Sequence, residues 1–259
     1  MNDLRNYQKA SDTIQEFYKT NRSKQTISYV KSMISKYCSI FSTKMHIWNI
    51  AEHLNHLVDI SDPDLTLPNI IHAFQSAEYA KECGEPDWMI FTCFIHDFGK
   101  IMYLHEDSEN GISSKEQWGI VGDTFIIGAE LPDTLIYSEF NELNPDKDIR
   151  LYEDGCGIDE CIVSFGHDEY LWRVFKNIDH KLPDEALYII RYHSLYALHK
   201  DGFYSELMND YDRKMLPYLR RFNKYDLYSK CDKEYDLDNM KKYYVDLAKK
   251  FGCEYMWVL

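Results

Sequence analysis

Apolar residues recur along this chain at the three-and-four spacing of an α-helix, and nowhere do they alternate long enough to build a sizeable sheet. Ile47, Ile50, Ala51, Leu54 and Leu57 make one such stripe; Met215, Leu216, Leu219 and Phe222 make another. Pro68 and Pro183 stand where helices can begin, since proline is tolerated in a first turn. Asp87 is placed to cap a helix carrying Trp88, Phe91, Cys93 and Ile95, and Gly99 to end it shortly after His96-Asp97. Asp238 is placed to start a last helix through Met240, Tyr244 and Leu247. Short strands are expected only near 119–127, where Ile120, Val121, Phe125, Ile126 and Ile127 cluster. Residues 105–116 and 141–160 are polar or acidic, carry glycine and serine or proline, and read as loops. No linker separates two cores. The expectation is a single all-α domain over residues 1–259 with at most a few short strands.

Composition narrows the function. At 259 residues, 45% of them hydrophobic, the chain can bury a large core. Its formal net charge of -14 repels phosphate backbones and anionic membrane surfaces, so neither nucleic acid nor membrane is an expected partner. No apolar run approaches the roughly 18 residues that span a bilayer. The stretch Met1–Arg5 has no signal-type apolar character. The seven cysteines are odd in number and form no pair of Cys-x-x-Cys units, which fits reduced thiols and a cytoplasmic protein.

Four of the ten histidines stand out by context. His72 lies inside a probable helix, His96 is joined to Asp97 at the end of an apolar helix, His167 is followed by Asp168, and His193 ends the run Ala186–Ile190. Ionisable side chains on apolar helices are costly unless paired or bound to metal. Imidazole with carboxylate suits iron, manganese or zinc. Successive side chains on a helix diverge by about 100°, so adjacent His-Asp pairs converge only at a helix end. A carboxylate there has two oxygens with which to bridge two ions. By spacing alone, a metal site stands beside a plainer reading, since a lone histidine at a helix end is commonly a surface group or a cap. His53 and His56 share a helix face with Glu52, Asn55 and Asp59 and read as solvated; His46, His105, His180 and His199 have no evident partner.

The order His … His-Asp … His … His … Asp resembles the HD-domain superfamily of helical metal-binding proteins. The detailed words resemble one family within it, myo-inositol oxygenase. They are Arg5-Asn6-Tyr7, the stretch 59–64, His72–Glu78, His96-Asp-Phe-Gly-Lys100, Gln117–Phe125, Ser164–Leu171, Pro183–Ser194, Met215-Leu-Pro217 and Phe222–Cys231, and they cover nearly the whole chain in family order. The resemblance implies that His72, His96 and Asp226 bind one iron, that His167 and His193 bind a second, and that Asp97 bridges them. It implies an Fe(II)/Fe(III) pair with dioxygen as co-substrate. It implies substrate contacts from Arg5, Asp59, Lys100, Ser194, Lys230 and the Gly122-Asp123-Thr124 turn, with Lys100 and Asp97 as the catalytic residues. The implied reaction is four-electron ring cleavage of myo-inositol to D-glucuronate by a monomer, with residues 1–45 packing on or near the active site. Residues 101–116 form a longer segment than the family pattern has, and Leu195–Lys200 lacks an expected proline and tryptophan; both bear on the lid and so on substrate choice. A related di-iron oxygenase acting on another cyclitol or a phosphonate is the nearest alternative. A metal-dependent phosphohydrolase comes after it, because Asp59 and Asp123 suit a neutral polyol better than a phosphate.

Overall fold

The computed structural model describes Tyr7 and residues 11–63, 67–228 and 235–259. Two of the proposed substrate contacts, Arg5 and Lys230, lie outside the described residues. Helices dominate. In chain order they are α1 (Asp12–Lys24), α2 (Ile27–Tyr37), α3 (Ile47–Leu54), α4 (Asn69–Glu82), α5 (Asp87–Ile95), α6 (His167–Lys176), α7 (Asp184–Tyr192), α8 (Tyr196–His199), α9 (Asp210–Tyr228) and α10 (Leu237–Lys250). A 3-10 helix spans Phe98–His105 directly after α5.

α5 is the axis of the molecule. Every residue from Met89 to Ile95 is buried, as its uninterrupted apolar sequence requires. It packs against α4, α7, α9 and α10. On α4 the small residues Ala73, Ala77 and Ala80 are fully buried, which permits close approach between the two helices. Phe94 stacks on Tyr244 of α10 with ring centroids 4.2 Å apart, and Phe91 stacks on Phe251 at 5.6 Å. Buried apolar side chains from Phe17 to Val258 join in one contiguous cluster.

Sheet structure is slight. β1 (Thr43–His46) pairs antiparallel with β4 (Tyr255–Val258), from Thr43 opposite Val258 to His46 opposite Tyr255. β2 (Ile126–Ile127) pairs antiparallel with β3 (Ile162–Val163). The strand expected within 119–127 is therefore two residues long. Short 3-10 turns at Ser108–Asn110, Ser138–Leu143 and Ile158–Glu160 interrupt the two stretches read as loops. No helix among the described residues is long and apolar enough to cross a membrane.

Some boundaries differ from expectation. Asp87 does not cap α5; Pro86 holds the cap position, and Asp87 instead bonds Lys250 at 2.5 Å. α10 is capped by Asp236, whose side chain accepts from the Asn239 N–H, two residues before the expected start at Asp238. Gly99 does not stop α5, which ends at Ile95. It sits within the 3-10 helix, where a Cβ would lie 2.1 Å from the His167 carbonyl oxygen. Glycine is needed there for close approach to α6, not for a turn. α1 and α2 brace the loops around this region: the Asn21 amide donates to Trp118 O at 2.7 Å, Tyr18 donates to Ser61 O at 3.3 Å, and Gln25 bonds both backbone groups of Phe165.

Candidate metal centre

Five helices deliver their polar ends or faces to one buried cavity. α4 presents His72, and α9 presents Asp226. His96 is the C-terminal cap of α5, and Asp97 is the residue from which the 3-10 helix starts. That change of helix type lets both side chains of an adjacent His-Asp pair face inward. His167 opens α6 and His193 caps α7. The cavity is lined also by Asp59, Ser61, Asp62, Lys100, Gly122, Asp123, Ser194, Tyr196 and Leu227.

The donor atoms fall into three overlapping groups, each within 4.8 Å: His72 with His96 and Asp226, His96 with Asp97 and His193, and His167 with Asp168 and His193. Asp226 Oδ1 lies 2.9 Å from His72 Nε2 and 3.4 Å from His96 Nε2. Asp97 divides its two oxygens: Oδ2 is 3.6 Å from His96 Nε2, while Oδ1 is 3.1 Å from His167 Nε2 and 3.7 Å from His193 Nε2. Cis donors around a metal with bonds of about 2.1 Å are about 3.0 Å apart, so these separations are those of atoms sharing an ion.

The tautomers point the same way. The Nδ1 atoms of His96, His167 and His193 lie 2.8, 2.7 and 3.1 Å from the carbonyls of Cys93, Ile120 and Ile190. A carbonyl only accepts, so each Nδ1 carries a proton and each Nε2 is the nitrogen turned inward. His167 Nε2 and His193 Nε2 are 3.1 Å apart. Ring nitrogens facing one another beside several carboxylates call for a cation. The residues present fit bound metal.

Electrostatics follow from burial. Burial alone would raise the Asp97 carboxyl, but Lys100 and His96 outweigh it and hold it well below the usual carboxylate range. Asp226 is likewise held well down against burial, by its bonds to His72 and His96. Burial works against a proton on His167, yet Asp168 and Asp97 raise its affinity to about 10. Without metal that proton is held firmly; metal takes its place.

Lys100 is the best-connected cation here. Its Nζ donates to Asp59 Oδ2 at 2.8 Å, Asp97 Oδ2 at 2.9 Å and Asn69 Oδ1 at 3.0 Å. These use all three of its N–H bonds. Burial would lower its proton affinity, but Asp59 and Asp97 raise it.

Of the remaining sequence-derived candidates, Asp59, Gly122, Asp123 and Ser194 line the cavity. Gly122 has φ +97, a conformation that side chains disfavour, at a point where the chain runs along the cavity wall. Thr124 is not in the cavity wall; its N–H donates to Ser194 O at 3.0 Å and supports the wall from behind. Two residues were passed over in the sequence. Asp168 belongs to the donor cluster, and a second His-Asp pair at a helix end, echoing 96–97, was the available signal. His199 is buried with Nε2 2.9 Å from His193 O; no local pattern marks it.

A helical scaffold that gathers four imidazoles and three carboxylates into overlapping buried groups beside one cavity defines a protein with clusters able to hold metal. Comparison with known proteins narrows the class. The family model described as myo-inositol oxygenase matches residues 11–257. The chain is 41% identical to a probable inositol oxygenase of Oryza sativa subsp. japonica, over 96% of this chain and 83% of that one. It is 40% identical to inositol oxygenase 1 of Arabidopsis thaliana, over 92% and 78%, and 36% identical to the inositol oxygenase of Homo sapiens, over 93% and 85%. The chain belongs to the myo-inositol oxygenase family.

Proposed function

We propose that this protein is an inositol oxygenase, converting myo-inositol and dioxygen to D-glucuronate and water. The observation that carries the reading is the meeting, in one buried cavity, of the metal-donor groups with residues suited to hydroxyls: Asp59, Ser61, Lys100, Asp123 and Ser194. A polyol presents groups that both donate and accept, and this wall alternates acceptors with donors.

In this reading His72, His96 and Asp226 would hold one iron, His167 and His193 would hold the other, and Asp97 would serve both. When bound, the iron pair supplies the redox chemistry that couples dioxygen reduction to four-electron oxidation of the ring. The protein does the rest. Asp59, Asp123 and Ser194 fix the ring's orientation, which removes the entropy of positioning from the barrier. Lys100 brings a positive charge within 2.9 Å of Asp97 and stabilises a developing alkoxide on a neighbouring substrate hydroxyl. Burial of the donor set, with His96 only 1% exposed, keeps bulk water from reactive species. The contiguous apolar cluster supports a single domain.

The cavity also speaks against an anionic phosphate substrate. Among its described lining residues Lys100 is the one lysine or arginine, already bonded to three acceptors, while Asp59, Asp62 and Asp123 add negative charge. The test is oxygen uptake by iron-loaded protein with myo-inositol, followed by assay for glucuronate. Stoichiometric uptake and product are expected. Hydrolysis of a phosphate monoester without inositol-dependent uptake would overturn the reading; uptake with another cyclitol alone would reassign the substrate.

A further inference from the structure

Tyr196 lines the cavity, and the reading above gives it no task. Its hydroxyl lies 3.2 Å from Asp226 Oδ2. An ionised carboxylate only accepts, so the phenol donates. The other oxygen of the same carboxylate, Oδ1, faces His72 Nε2 at 2.9 Å and His96 Nε2 at 3.4 Å. The two oxygens of Asp226 are thus divided, one toward the imidazoles of its donor cluster and one toward Tyr196.

Two further observations agree. The first concerns the cluster of His72, His96 and Asp226. His96, His167 and His193 each hold Nδ1 against a backbone carbonyl, which fixes the ring. His72 does not: its Nδ1 is buried and has no hydrogen-bond partner among the described residues. The polar contact that directs the His72 ring is therefore the one with Asp226, and the direction of Asp226 matters more here than a carboxylate's would in a cluster of anchored rings. The second concerns the setting of Tyr196. It opens α8, a helix of four residues, and its ring lies against His199 with centroids 5.1 Å apart. His199 Nε2 lies 2.9 Å from His193 O, and Arg220 Nε donates to His199 O at 2.9 Å. Arg220 and Asp226 both belong to α9, so α8 is tied to the helix whose carboxylate Tyr196 meets.

We propose that Tyr196 is a positioning residue for the first metal ion: by donating to Asp226 Oδ2 it reserves Oδ1 for the ion, so that Asp226 binds through one oxygen rather than two. The inference rests on the dinuclear reading under Proposed function. A carboxylate kept to one oxygen occupies one coordination position, and the phenol thereby protects a place that the second oxygen would otherwise fill.

The test is titration of metal-free protein with Co(II), following dissociation constants and the visible absorption that reports coordination number. Asp226→Asn identifies the first ion as the one whose binding it weakens. Tyr196→Phe removes only the hydroxyl. It is expected to weaken the first ion about 10-fold, to shift its absorption to the weaker bands of a higher coordination number, and to leave the second ion unchanged. In an Asp226→Asn background the same change is expected to have no further effect, a dependence that a merely structural role would not show. Wild-type constants and spectrum in Tyr196→Phe, or an equal loss of both ions, would overturn the proposal. If Tyr196→Phe does not fold, 3-fluorotyrosine at the same position serves, because it keeps the shape and strengthens the donor: a changed spectrum of the first ion supports the role, and an unchanged one refutes it. A protein that shows the Tyr196 effect yet no inositol-dependent oxygen uptake would sink the proposed reaction and leave this role standing.

Discussion

Asp97 stands where the two donor clusters meet, with one oxygen toward His96 and the other toward His167 and His193. A side chain that serves both sides cannot be removed from one alone. Asp97→Ala is therefore expected to lose both ions, read as metal content after desalting; full occupancy in that variant would contradict the sharing. Much of this residue-level picture was legible in the sequence. His72, His96, Asp97, His167, His193 and Asp226 were each singled out; the structure gathers all six into overlapping donor clusters, five of them in the cavity wall and His96 behind it. Asp168 was not, because an acid in the first turn of a helix has an ordinary explanation in the helix dipole. Thr124 was read as a cavity contact and instead bonds the backbone of Ser194.

At the scale of elements, the decisive contact is between the 3-10 helix at Phe98–His105 and α6. Gly99 lies against the His167 carbonyl so closely that a methyl group would meet it at 2.1 Å, and Leu171 Cβ at 2.9 Å. Gly99→Ala is expected to cost about 3 kcal/mol by overpacking and to displace His167. Chemical denaturation and metal content measure the two effects. A stable, fully loaded variant would show that α6 moves freely. Helix existence was readable from periodicity, whereas this contact joins residues far apart in sequence and leaves no local mark. The strand at β2 was expected within 119–127, but its partner β3 and the pairing of β1 with β4 were hidden for the same reason.

α8 carries a second element-level consequence. His199 is buried, and burial lowers its proton affinity to about 4. Unfolded histidine takes up its proton near 6.5, so between those values the unfolded chain binds the extra proton. Stability is thus complete above pH 6.5 and falls as the pH drops toward 4, by about 3 kcal/mol from this residue. His105 and His180, also lowered by burial, add to the same slope. Urea unfolding at pH 7, 5.5 and 4.5 should show this loss, and His199→Gln should flatten it. An equal slope in that variant would assign the loss elsewhere.

For the whole molecule, the candidate donors come from α4, α5, α6, α7 and α9, so bound metal would cross-link five helices. Metal that binds the folded chain alone stabilises it by mass action, about 4 kcal/mol per site at a thousandfold excess over Kd. With two sites, stripping the metal with a chelator should lower Tm by about 20 °C, with recovery on adding iron. An unchanged Tm would mean that the helices hold the site without help. The all-α architecture followed from hydrophobic spacing, but which helices surround α5 did not, because periodicity tells which face is buried and not what buries it.

The saturated ammonium of Lys100 makes admission to the cavity an exchange. A guest that takes one of its N–H groups evicts Asp59, Asp97 or Asn69. An alcohol can slip between host and evicted partner, accepting from one and donating to the other, so the chain of contacts is lengthened without being cut. An ether at the same spot accepts but has nothing to hand on, and strands the displaced oxygen. Under the proposed function, free cyclitols are therefore expected to bind more tightly than their O-methylated cousins, a difference that competition binding would measure.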